Sequence, residues 1–150
     1  MSEQTVTRAD FYTASKDAMH AMLTLEKTIA GLGLEEGLLH LIKLRASQIN
    51  GCAFCVDMHS SDARKAGESE RRLHGVSVWR EAPFFNERER AAFAWTESVT
   101  NVASTHIPDA DYALVSKHFN AKEIADLTLA IVAINGWNRF AIAFRKMPEQ

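Results

Sequence analysis

Four side chains in one stretch can do chemistry: His40, Cys52, Cys55 and His59. Cys52 and Cys55 are the only cysteines of the chain. On a helix that begins there, Cys52, Cys55 and His59 fall at i, i+3 and i+7 and share one face. Cys55 and His59 are then one turn apart, near enough for a thiol and an imidazole to exchange a proton. Asn50-Gly51 just before them is a helix stop and turn signal, so both cysteines stand at the start of the next helix. The unpaired N–H groups of a helix start favour negative charge, and a protonated His59 would add to that, so a thiolate is stabilised. A second thiol beside it allows a disulfide once the first sulfur is oxidised. The helix end favours Cys52 as the more acidic thiol, the spacing to His59 favours Cys55, and on these grounds both stay open. The same four residues are also a possible Cys2His2 zinc set, although two cysteines and a histidine on one helix make an unusual tetrahedral site. Two buried core cysteines are the plain alternative.

The elements that must hold these residues read as helices throughout. A first helix starts near Ser15 and ends at Gly31 and Gly33, with Met19, Met22, Leu23 and Leu25 available for burial. A second runs from Glu35, with Leu38, Leu41, Ile42 and Ile49 on one stripe and Arg45 interrupting it, an arginine expected to pair with a carboxylate. A third runs from about Cys52 to Ala66 and stops at Gly67. Ser69 caps a short helix ending at His74-Gly75, and another short turn holds Val78 and Trp79. Asn86 to Glu89 and Asn120 to Glu123 fit capping boxes. The first opens a helix to about Ala103; the second opens the last helix, to about Arg145. Pro108-Asp109 starts one more between them. From Leu127 to Ile134 the last helix is apolar over much of its circumference, which places it centrally or against another subunit. The second and third helices form a hairpin at Gly51. His40 and His59 lie about 16 and 12 Å from the turn at a rise of ~1.5 Å per residue. An antiparallel pair brings the two imidazoles to similar height, with Glu36 one turn before His40 to orient it. The fold class expected is all-α, one domain over residues 1–150, with the active site at a helix start after an Asn-Gly turn.

Composition narrows the function classes. The chain has 150 residues, 47% hydrophobic and 24% charged, with a formal net charge of −2. That balance gives no electrostatic case for nucleic acid. The basic pairs Arg64-Lys65 and Arg71-Arg72 have acidic neighbours and read as a solvated helix face. The longest stretch free of Asp, Glu, Lys and Arg, Leu127 to Asn138, is too short for a bilayer, which takes ~20 residues. Glu3, Arg8, Asp10 and Lys16 leave no apolar leader near the start, so a reducing cytoplasm is the expected compartment. Two cysteines rule out a disulfide-rich scaffold. His20, His74, His106 and His118 are expected at the surface or its boundary. Trp79, Trp95 and Trp137 are expected in the core or an interface. Asn135, Asn138 and Arg139 either line the pocket or bond backbone at an interface.

The run Ser47-Gln48-Ile49-Asn50-Gly51-Cys52, then Cys55 and His59, resembles the core motif of the AhpD-like alkylhydroperoxidases, within the carboxymuconolactone decarboxylase superfamily. Trp79-Arg80-Glu81, Glu87 to Ala92 and Ile134 to Arg139 resemble further blocks of that group, so the likeness spans roughly Leu34 to Arg139. The resemblance implies an all-α fold, trimers or hexamers, and thiol-dependent reduction of hydroperoxides in antioxidant defence. It implies Cys55 as the peroxidatic nucleophile and Cys52 as the partner that closes the redox-active disulfide. It implies His59 in the proton relay, no bound cofactor, and an external dithiol, protein or small molecule, as electron donor. Two positions depart from the pattern. His40 stands where the family usually has Glu, and Phe54 where its best-known members have His; His40 cannot supply the Glu's negative charge. A decarboxylase or lyase reaction, as elsewhere in the superfamily, and a redox-sensing or assembly role without turnover are the competing functions.

Overall fold

Polar caps and glycine stops cut this chain into its elements. The computed structural model describes residues 6–150, so Glu3 lies outside the described residues. Among those, nine α-helices and one 3-10 turn make up the regular structure and no strand occurs. They are α1 (Phe11–Ala14), α2 (Lys16–Ala30), α3 (Glu36–Asn50), α4 (Ala53–Lys65), α5 (Glu70–Gly75), α6 (Glu87–Thr100), α7 (Val102–Thr105), α8 (Asp109–Ser116) and α9 (Ala121–Ala143). Ser15 caps α2, accepting from the Ala18 N–H, and Ser69 caps α5 through the Arg72 N–H. Both capping boxes form: Asn86 with Glu89, and Asn120 with Glu123. Each satisfies two N–H groups that a helix start leaves unpaired.

Three expectations shift. The four-residue α1 is too short to show a hydrophobic period and was not foreseen. The helix expected to reach Ala103 breaks at Asn101, whose side chain donates to the Glu97 carbonyl, and restarts as α7. The last helix stops at Ala143, two residues before Arg145, which sits at a left-handed φ of 55°. No helix among the described residues is long and apolar enough to cross a membrane.

Helix α3 is the hub, packed against α4, α6 and α9. Leu38, Leu39 and Ile42 meet Ala92, Trp95, Leu127 and Ile131 on one side of it. Leu41 and Leu44 meet Val76, Trp79, Phe85 and Phe93 on another. Burial on both sides is why its apolar positions run wider than a single stripe. Helix α9 is central, as its all-round apolarity suggests, although Val132 remains 53% exposed. Arg45 donates through Nε and Nη2 to Glu97, which also accepts from Trp79 Nε1 and Arg80, so the expected carboxylate partner is present. Arg72 departs from a merely solvated face. It pairs with Glu68 and Glu89 and donates to the Phe84 carbonyl, tying α5 to the start of α6.

A polar network pins the turn that carries the cysteines. Asn50, the last residue of α3, donates to the Oδ1 of Asn135 (3.0 Å) and of Asn138 (2.9 Å), both on α9. Asn138, fully buried, donates to Ser47 Oγ at 3.0 Å, and Asn135 donates to Thr100 Oγ1 and the Ile131 carbonyl. Gly51 then turns the chain at φ 70°, where an L side chain is strained. The asparagines of α9 therefore hold the turn before the cysteines and do not line the cavity that Cys55 faces. Replacing Asn138 by Ala removes its bonds with Asn50 and Ser47, which keep their bonds to Asn135 and to the Lys43 carbonyl, a loss of about 0.5–1.5 kcal/mol per bond removed. Urea unfolding of Asn138→Ala is expected to show a lower midpoint at unchanged slope.

Candidate active site

Helix α4 begins at the cysteine pair. Cys52 is its N-cap residue, in extended geometry, and its Sγ accepts from the Cys55 N–H at 3.3 Å. The two cysteines are joined as a disulfide with their Cα atoms 5.3 Å apart. Both are almost fully buried, at 1% exposure. They differ in what they face. Cys55 lines a cavity of about 260 Å³ together with His59 and His40, while Cys52 does not line it. Three of the four residues singled out in the sequence thus meet at one space, and the hairpin of α3 and α4 is what brings His40 there. Among the described residues, no group of three or more His, Cys, Asp or Glu side chains is placed to hold a metal ion.

Each of the two cavity histidines has a buried ring nitrogen without a hydrogen-bond partner. His59 is 8% exposed, and its Nε2 has no hydrogen-bond partner. Burial pushes its imidazole down to about 4; Lys43 and His40 push the same way, and Asp62 opposes them. At neutral pH it is therefore an uncharged ring with a buried nitrogen open to a proton donor. His40 mirrors it, with a buried Nδ1 that lacks a partner. The other nitrogen of His40 lies 3.5 Å from Glu36 Oε1, an exposed carboxylate one turn back.

Several cavity residues were not legible from spacing around the cysteines. Lys43 sits one turn after His40 on α3, and its Nζ is 3.3 Å from Glu26 Oε2. Trp137 Nε1 donates to Glu26 Oε1 at 3.1 Å, so this tryptophan is part of the cavity wall and not only a core or interface aromatic. The i+3 relation to His40 is a signal that would have found Lys43; nothing local links either residue to Glu26 on α2. Phe11 and Tyr12 of the unforeseen α1 close the same wall, with Tyr12 stacked on Trp137. Phe54, at the departing position, faces the cavity under Lys146, whose Nζ is 5.5 Å from its ring. His20, His74 and His106 are exposed and His118 is half-buried, in line with expectation.

The depressed His59 has a measurable sign. Its folded value near 4 lies below the ordinary 6.5. Between those values the unfolded chain binds more protons, so stability falls as pH drops from about 6.5 to about 4, by about 3 kcal/mol in all. NMR titration of His59 is expected to give a midpoint near 4, and His59→Asn to flatten that part of the stability profile. A midpoint near 6.5 would contradict the buried neutral ring.

The model of the carboxymuconolactone decarboxylase family matches residues 16–98. An uncharacterized Bacillus subtilis protein, YdfG, is 40% identical over 136 residues, covering 91% of this chain and 92% of its own. A crystal structure from Agrobacterium tumefaciens, of unknown function and suggested to be the antioxidant defence protein AhpD, superposes with a TM-score of 0.93 at 46% identity, covering 97% of this chain and 99% of that one. The debrominase Bmp8 shares the fold at a TM-score of 0.78 and 20% identity, over 89% of this chain and 72% of its own. With the family model matching over half of the sequence and a relative of 40% identity aligned over nearly all of it, the chain belongs to the carboxymuconolactone decarboxylase family and has its AhpD-like all-α fold.

Proposed function

We propose that this protein is a thiol-dependent peroxidase of the alkylhydroperoxidase kind, serving antioxidant defence. One observation carries the reading: of the two sulfurs in the Cys52–Cys55 disulfide, only that of Cys55 belongs to a residue lining the cavity shared with His59 and His40. The attacked substrate must reach the nucleophile through that space. The suggested AhpD identity of the Agrobacterium structure supports the same reading.

In the reduced protein, Cys55 gives its proton to neutral His59 and its thiolate attacks the distal oxygen of a hydroperoxide. The O–O bond breaks, the sulfur is oxidised to a sulfenic acid, and the departing alkoxide or hydroxide takes the proton back from His59. An imidazolium formed in a buried site is a strong acid and releases it readily. His40, oriented by Glu36, completes the relay. The Cys52 thiol then displaces the sulfenic oxygen, which leaves as water, and the disulfide forms. An external dithiol, protein or small molecule, supplies two electrons to reopen it. No cofactor or metal enters these steps. A homotrimer or homohexamer in the cytoplasm, without nucleic-acid or membrane partners, belongs to the same proposal.

Stopped-flow mixing of reduced protein with hydrogen peroxide and organic hydroperoxides, with thiol counting, tests the reading. Two thiols are expected to disappear per peroxide consumed. Cys55→Ser is expected to drop peroxide consumption to background. Cys52→Ser is expected to lose repeated turnover, with at most one peroxide consumed per chain. Unchanged turnover in Cys55→Ser overturns the mechanism. A change of oligomeric state on oxidation without turnover favours the redox-sensing alternative.

A further inference from the structure

Thiolate chemistry in this cavity calls for a positive charge near Cys55. Before it takes the Cys55 proton, His59 does not provide one at neutral pH, because burial pushes its imidazole down to about 4. Lys43 lines the same cavity. Its side chain is only 16% exposed, and its ammonium is 3.3 Å from Glu26 Oε2. Glu26 is itself fixed by Trp137 Nε1 at 3.1 Å. Three helices, α2, α3 and α9, thus immobilise one ammonium in the cavity wall. Glu26 takes one of its three N–H donors and leaves two for other acceptors.

The orientation of the pair matters, since a carboxylate beside the ammonium cancels its field at long range. Both partners line the cavity, and Lys43 acts from there on His59. The other titratable groups around the cavity are Tyr12 on α1, His40 on α3, and His59 and Asp62 on α4. Lys146 stands beyond the rings of Tyr12 and Phe54. The α9 residues there, Trp137 and Ala141, do not titrate. Among the described residues lining the cavity, Lys43 is the one lysine or arginine.

We propose that Lys43, held in place by Glu26 and Trp137, is the positioning residue that supplies a fixed positive charge for the Cys55 thiolate. The inference rests on the thiol-redox reading above. The same field that makes His59 a poorer base makes the Cys55 thiol a stronger acid, so one lysine sets both groups in opposite directions. An unpaired surface lysine would be too mobile and too well screened to do this.

The test is the pH dependence of Cys55 alkylation in the dithiothreitol-reduced protein, read by peptide mass spectrometry with iodoacetamide as probe. In Lys43→Met the midpoint is expected to rise by about one pH unit, so the rate at pH 6 falls about 10-fold while the limiting rate at high pH stays. Lys43→Arg, which keeps the charge, is expected to stay within about 2-fold of the parent. Helical circular dichroism and thermal melting check the fold, and Lys43→Gln, which keeps a donor for Glu26, gives the same readout should the Met variant not fold. A parent-like midpoint in the folded charge-free variant overturns the proposal. Peroxide turnover is measured in parallel: its absence in the parent protein ends the peroxidase reading, while the alkylation profiles still decide the role of Lys43.

Discussion

The contact on which the site depends is the bond from Asn50 to Asn138 and Asn135. A reactive cysteine at a helix start needs the preceding turn to be rigid, because a shift of 1 Å alters both the helix-end field and the approach of a partner thiol. A turn between two helices is ordinarily the loosest part of a hairpin. Here the last side chain of α3 is clamped to the second half of the long helix α9 before Gly51 reverses the chain. Asn138 reaches on to Ser47, whose hydroxyl donates to the Lys43 carbonyl. A single chain of hydrogen bonds therefore runs from the core helix through the turn to the backbone of the cavity's lysine. Fully satisfied buried polar networks of this kind specify one arrangement.

The network explains which parts of the chain could be read in advance. Caps, boxes and glycine stops act within four residues, so Ser15, Ser69, Asn86 and Asn120 mark their helices directly. The Cys52, Cys55 and His59 spacing is local in the same sense. The roles of Asn135 and Asn138 are not, since their partner Asn50 is more than 80 residues away in the chain. An asparagine in an apolar helix signals only that some buried partner exists. Helix α1 failed for a different reason. Four residues cannot show a period, and its docking rests on Phe11 against Phe140 and Phe144, and on Arg8 reaching the Ala143 carbonyl.

Within the site, periodicity along α3 carries His40 and Lys43 to one cavity, and only the first was singled out. Lys43 looks like an ordinary exposed helix lysine until α2 brings Glu26 across to it. Trp137 shows the same limit. Its size argues for burial, but its indole N–H needs an acceptor once buried, and which acceptor is a tertiary fact. The fold and the reactive pair are thus written in local spacing. The charge that tunes the pair is written in contacts between helices distant in sequence.

That division bears on the two positions where this chain departs from the motif it resembles. A glutamate at position 40 would put a negative charge into a cavity where a thiolate must also form. The two anions oppose each other unless an imidazolium stands between them. With His40 there, the direct opposition is gone, and so is the partner that would keep His59 protonated. Burial is the main reason that His59 is held low, and Lys43 and then His40 push the same way, so His40 adds to the effect of burial where a carboxylate would oppose it. The cavity keeps two other carboxylates in its wall, Glu26 and Asp62. Glu36 is one turn back at the surface, and Glu26 is paired with the Lys43 ammonium. Phe54 completes the change, since an aromatic ring at the cavity wall neither donates nor accepts a proton and lowers the local dielectric. In such surroundings a single fixed ammonium acts more strongly than it would beside a polar histidine, so the two departures support each other.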